Sequence, residues 1–176
     1  MKIELFESLK NKSIISFDAE TDGLWGNAFI ISAVKYDISG NEVNRFTGRC
    51  KAEIKDDWVR QNVVPNIEDI PITQESYKSL LESFFKWYKE NSENTCILTH
   101  MGHIVEAKII KDAHDLKIIG DWDAPYLWYD CCLFFDDSVD NYIKEHKLLI
   151  NEKSSTHNPL YDCIACYKAF RHFISL

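Results

Sequence analysis

Two carboxylates, Asp18 and Glu20, stand two positions apart where a short apolar run, Ser13-Ile14-Ile15-Ser16-Phe17-Asp18, gives way to the turn-forming Thr21-Asp22-Gly23. Side chains two apart on a strand share a face, so both acids point the same way. Like charges this close repel unless a cation lies between them. The ordinary alternative is a solvated acidic pair opening a turn. Open α/β sheets, however, place their sites where strands end.

A second group of candidates lies near the other end of the chain, in Thr156-His157-Asn158-Pro159-Leu160-Tyr161-Asp162. Asn158 suits a helix N-cap and Pro159 the first helical position. His157 then falls in the loop before the helix and Asp162 just past its first turn. Within one helix, residues five apart diverge by about 140°. With His157 outside the helix, both side chains can reach one point on the sheet. Ala165, Cys166 and Ala169 are small enough to let this helix pack closely on the first strand and deliver Asp162 to Asp18 and Glu20. Read alone, His157 and Asp162 could equally be a surface histidine and an acid favoured by the helix dipole.

Other groupings are weaker. Cys163 and Cys166 form a C-x-x-C in a helical stretch, and no second pair stands at zinc-ligand spacing. His100, His103 and Glu106 are spaced by three, yet a zinc site would need a continuous helix through Gly102, so core or loop histidines are expected.

The elements that must carry these residues are legible from periodicity. The run from Ser13 is apolar on both faces, as in a central buried strand. Residues 28–37 and 42–51, joined by Ser39-Gly40-Asn41, read as an antiparallel hairpin. A short helix over 56–63 stops at Pro65. A long helix over 73–90 is predicted, with Thr73 as its cap and an apolar stripe from Tyr77 to Tyr88. Residues 95–99 form a strand, 103–114 a helix, 127–130 a fifth strand and 131–144 a helix. The last helix spans 159–174. This order implies an α/β fold, a mixed five-stranded sheet flanked by helices with its first three strands antiparallel.

The chain has 176 residues, 45% hydrophobic and 13% aromatic, enough for one compact domain over 1–176 with its own core. No apolar stretch is long enough to span a bilayer, and the start lacks signal-peptide order, so a cytoplasmic protein with no membrane partner is expected. The six cysteines are expected to be reduced and mostly buried. A net charge of −8 argues against a broad basic surface gripping nucleic acid. It leaves room for a local site in which cations held by carboxylates reverse the field.

Phe17-Asp18-Ala19-Glu20-Thr21, together with His157 separated by four residues from Asp162, resembles the first and third motifs of DEDDh 3'→5' exonucleases, whose fold is ribonuclease H-like. Trp58-Val59-Arg60-Gln61-Asn62-Val63-Val64-Pro65 is similar to the W-V-R-x-x-V-x-P segment of the mycobacterial RNase AS-like exoribonucleases. The likeness runs from Phe17 to about Phe170. It departs at the middle motif, where Leu98-Thr99-His100-Met101-Gly102-His103-Ile104-Val105-Glu106 lacks the family's Asp. Glu106 is the nearest substitute, one residue late, and Asp112 the fallback.

The resemblance implies a two-metal-ion hydrolysis of phosphodiesters at a nucleic-acid 3' end, RNA ahead of DNA. The cofactors would be two Mg²⁺ or Mn²⁺ ions, hard cations that suit oxygen ligands. Asp18 would bridge both ions, Glu20 and Asp162 would complete one, and Glu106 would support the other. His157 would serve as general base, an imidazole's ordinary pKa of about 6.5 suiting that task. Thr21 and Leu24 would border the terminal nucleotide. Arg60 would lie near substrate or a subunit contact, and a homodimer is implied. The missing middle Asp keeps a rival open: a ribonuclease H-like binding module without catalysis.

Overall fold

The structure is a computed structural model that describes residues 9, 11–135, 138–152 and 156–175. Five strands, β1 (Ser13–Thr21), β2 (Ala28–Tyr36), β3 (Glu42–Arg49), β4 (Thr95–Thr99) and β5 (Trp128–Asp130), form one sheet in the order β3-β2-β1-β4-β5. β2 runs antiparallel to both β1 and β3, whereas β4 and β5 join in parallel. The mixed sheet with three leading antiparallel strands is therefore as the sequence predicts. Its helices are α1 (Asp57–Asn62), α2 (Tyr77–Asn91), α3 (Val105–Asp115), α4 (Val139–Glu145) and α5 (Pro159–Ser175).

β1 is the central strand, and its alternation divides the core. Ile15, Phe17 and Ala19 face a cluster completed by Leu80, Phe84 and Ile109 of α2 and α3. Ile14 faces the other cluster, built with Cys163, Ala165, Cys166 and Ala169 of α5. Asp18 and Glu20 share the parity of Ile14, so they point toward α5. The small residues of α5 bring its backbone close to the sheet, and the Cys163 thiol donates to Ser32 O at 3.3 Å.

Several boundaries differ from the sequence reading, each for a local reason. α2 starts at Tyr77 behind a capping box made by Ser76 and Ser79. Thr73 is not its cap, because the N–H groups of Thr73 and Gln74 both donate to Arg49 O, which holds these residues extended beside the end of β3. α3 starts at Val105 rather than 103. The predicted helix over 131–144 is a 3₁₀ turn over Cys131–Leu133 followed by α4, which Ser138 caps by accepting from Asn141 N. Asp136 and Asp137 lie outside the described residues. β1 continues past Asp18 to Thr21, so both acids sit within the strand, just before a bulge at Glu20/Thr21.

Among the described residues, no helix is long and apolar enough to cross a membrane. Cys50, Cys96, Cys131, Cys163 and Cys166 are buried, Cys132 is exposed, and all six are free.

Candidate metal centre

The strand end and the start of α5 converge. One carboxylate oxygen from each of Asp18, Glu20 and Asp162 lies within 4.8 Å of the others. Asn158 sets this up. Its side-chain oxygen accepts from Leu160 N at 3.2 Å and Tyr161 N at 3.4 Å, capping α5, while its amide donates to Asn66 O at 2.9 Å. That last bond ties the helix start to the 3₁₀ turn Val64–Asn66 that follows α1. Asn158 is itself buried.

His157 precedes this cap with φ 66°, a left-handed conformation histidine tolerates better than most residues. Its backbone N–H donates to the Asp162 carboxylate. Its ring meets Trp58 edge-on, with centroids 5.2 Å apart and planes at 87°. Trp58 is delivered by a second latch: Asp22 Oδ1 accepts from Lys55 N at 2.9 Å and Asp56 N at 2.8 Å, fastening the entry to α1 against the turn after β1.

Asp18, Glu20, Trp58, His157 and Asp162 line a cavity of about 450 Å³ that also takes in Leu24, His100 and Asp140. Burial, then the charges of Asp162, Glu106 and Glu20, push the Asp18 carboxyl well above its usual range. Burial raises Glu20 to about 7. Burial followed by the charges of Glu20 and Asp140 raises Asp162. Carboxyls so crowded and desolvated resist ionisation together, and a cation among them removes the penalty. The donor set is all oxygen, which fits a hard divalent ion.

Glu106 is only 2% exposed, and its pKa is raised to about 8 by burial and the charges of Asp130 and Glu20, against backbone hydrogen bonds from Glu106 itself and Ala19. Its carboxylate accepts from the backbone of Ala19 on β1, and its charge bears on Asp18 and Glu20, although it is not one of the three acids set within 4.8 Å of each other. The fallback Asp112 is committed elsewhere: Tyr77 Oη donates to it at 2.8 Å and Lys108 Nζ at 2.5 Å.

The substrate-side candidates divide. Leu24 is 54% exposed and lines the cavity. Thr21 is buried, and its hydroxyl donates to Gly23 O at 2.7 Å, bracing the turn. Arg60 donates to Ile54 O and Lys55 O, both at 2.8 Å, and pairs with Asp57. It holds the loop, and Trp58 is the residue of its segment that lines the cavity.

Asp140 and Asp130 of the site region escaped the sequence reading, in which His100 is only a core or loop histidine. Asp140, in the first turn of α4, faces the cavity. His100 lines it too and has its pKa lowered by burial, against the charges of Asp130 and Asp140. His103 lines a separate hollow with Trp128 and Leu133, so the spaced histidines and Glu106 do not converge. Asp130 fastens the loop that bears His100: its Oδ1 accepts from Met101 N at 2.9 Å and Cys132 N at 3.0 Å, its Oδ2 from Gly102 N at 2.9 Å. These bonds hold residues 101 and 102 in a turn and delay α3. An Asp directly before a helical turn is the signal that could have found this latch.

No family model matches the chain, and no curated protein does so either. Solved structures do. E. coli Exonuclease I in complex with a dA16 oligonucleotide superposes with a TM-score of 0.60 at 13% identity, over 92% of this chain and 41% of that one. Exonuclease X in complex with 5' overhanging duplex DNA gives a TM-score of 0.58 at 18% identity, over 92% and 91%. The chain thus spans about two fifths of the length of Exonuclease I and nearly all of Exonuclease X. At these identities the likeness is one of fold: the mixed sheet and its flanking helices are the ribonuclease H-like arrangement of those exonucleases.

Proposed function

We propose that residues 1–176 act as one exonuclease-like domain that hydrolyses phosphodiesters at the 3' end of single-stranded nucleic acid, with divalent metal. The observation that carries this reading is the meeting of Asp18, Glu20 and Asp162 within 4.8 Å in a cavity that His157 also lines. The two exonuclease structures of the same fold support it, both crystallised with DNA.

Asp18, Glu20 and Asp162 would hold the metal, Mg²⁺ or Mn²⁺ and two ions by the resemblance, with Glu106 in support. When bound, the metal supplies positive charge that stabilises the phosphorane-like transition state and acidifies water. His157 takes the proton of the attacking water at its ring nitrogen. The Trp58 ring limits the tilt of that imidazole. Leu24 and Trp58 offer apolar surface to the terminal base, and Thr21 keeps the turn that presents Leu24. Arg60 acts through the loop it braces, not through substrate.

RNA is the favoured substrate in this reading, because the segment resembling the RNase AS-like enzymes supplies the cavity wall at Trp58. The DNA in both related structures favours DNA as the second reading. A homodimer belongs to the same resemblance, and its measurement is light scattering of the eluting protein. Purified protein incubated with 5'-labelled single-stranded RNA and DNA, in Mg²⁺, Mn²⁺ or EDTA, tests the whole. A ladder shortening from the 3' end, only with metal, is expected. No shortening in either metal would leave the binding-module reading in its place.

A further inference from the structure

A groove of about 640 Å³ runs along α2, away from the cavity, against the segment 116–124 that leads into β5. Its charged lining comprises Lys78, Lys86, Lys89 and Lys117 against Glu82 and Asp123. Both acids are engaged: Glu82 pairs with Lys78 at 3.5 Å, and Asp123 Oδ2 accepts from Gly120 N at 2.8 Å. Among the described residues, Lys86, Lys89 and Lys117 have no carboxylate within ion-pair distance. On a chain of net charge −8, such a concentration of unpaired ammonium groups runs against the general balance.

The same groove carries Trp122, 87% exposed. Tyr126, 64% exposed, stands beside it with ring centroids 5.9 Å apart. Neighbouring ammonium groups and bare aromatic faces are what a single-stranded polynucleotide requires, phosphates on the one and stacked bases on the other. An acidic peptide would use the lysines but not the aromatic pair. The groove lies toward the start of β4: Ser92 borders it, and Thr95 pairs with Ser13. Asp18 is five residues farther along β1 from Ser13, about 16 Å at strand rise. The groove is therefore separate from the carboxylates.

We propose that this groove is a second nucleic-acid contact, holding single-stranded chain away from the cavity through Lys86, Lys89, Lys117 and Trp122. It rests on the exonuclease reading only for the choice of ligand. The test is fluorescence anisotropy in EDTA with a 5'-fluorescein-labelled single strand of about 16 nucleotides, across a salt series. Trp122→Ala should weaken binding roughly 5- to 100-fold, with Trp122→Phe recovering most of it. The combined Lys86→Ala, Lys89→Ala and Lys117→Ala variant should flatten the slope of log K against log salt by about 2, near 0.7 for each phosphate no longer neutralised. These are surface changes, and circular dichroism should be unaltered.

Unmoved affinity and slope in both variants overturn the proposal, as does a poly-glutamate peptide that competes as well as the unlabelled oligonucleotide. Failure here is distinct from failure of the exonuclease reading. Shortening in Mn²⁺ with variants that bind normally overturns the groove alone. Groove-dependent binding in EDTA with no shortening in metal overturns the exonuclease reading alone.

Discussion

The indole of Trp58 stands edge-on to the imidazole of His157, at a centroid distance of 5.2 Å and an interplanar angle of 87°. Two residues far apart in the chain are thereby set against each other, and the left-handed backbone at His157 is supported from the side. An edge-to-face aromatic pair contributes about 0.5–1.5 kcal/mol beyond its buried area. Trp58→Ala should therefore lower turnover roughly 2- to 10-fold by releasing the imidazole, and Trp58→Phe should retain most activity. Steady-state kinetics on a labelled oligonucleotide would separate the two. A change in KM alone would make Trp58 only a wall of the cavity.

His157→Ala should reduce turnover by about 10²- to 10⁴-fold, the usual weight of a general base. Metal binding should survive, because the three carboxylates are untouched. Single-turnover kinetics with isothermal titration of Mn²⁺ checks both halves, and an unchanged rate would remove His157 from the reaction.

Asp18→Asn should abolish hydrolysis and yet leave the metal-free protein at least as stable as the parent. Asp18 is the acid most pressed by its neighbours, and a neutral amide relieves the repulsion of Asp162, Glu106 and Glu20. Thermal melting with and without Mn²⁺ is the measurement. The parent should gain stability from the metal, and the variant should gain little.

Stability of the metal-free protein should fall as pH rises through the range from 4.5 to about 7. Glu20 and Glu106 have an ordinary value of 4.5, raised when folded to about 7 and about 8. Well below that ordinary value both states are protonated and the groups contribute no difference. Above it the unfolded chain releases protons that the folded chain retains, so the unfolded state gains by about 1.4 kcal/mol per pH unit for each group until the folded value is reached. Melting curves in EDTA at a series of pH values should show the decline, and Mn²⁺ should blunt it. A melting temperature that rises over that interval in EDTA would contradict the crowding of these acids.

Asp130→Ala should destabilise the protein by about 1–3 kcal/mol for the hydrogen-bond partners left unpaired, since three backbone N–H groups lose their acceptor. At this chain length each kcal/mol is worth about 2–4 °C in melting temperature. Activity at low temperature should also fall, because the loop bearing His100 loses its anchor. Calorimetry and the labelled-strand assay together check this.

Much of the arrangement was legible in the chain because it rests on local periodicity. The alternation in β1, the hairpin of β2 and β3 and the Asn158-Pro159 start of α5 are all short-range signals. Together they led to Asp18, Glu20 and Asp162 as one group. The misplaced boundaries at Thr73, at 103 and at 131–144 have physical causes of two kinds. In the first two, residues at or just before the predicted start are held out of helical geometry by distant acceptors, Arg49 O for Thr73 and Gln74 and the Asp130 carboxylate for Met101 and Gly102. In the third, Ser138 caps a separate helix.

By itself the sequence determined which residue types were available for metal chemistry and which face of β1 they share, because strand parity follows from backbone geometry alone. Only the tertiary structure decided that Trp58 rather than Arg60 faces the cavity, that Glu106 is buried with its charge bearing on Asp18, and that Asp140 and His100 join the lining. Those outcomes depend on contacts between residues tens of positions apart. No local pattern records where a side chain lands once loops are latched by Asp22 and Asp130.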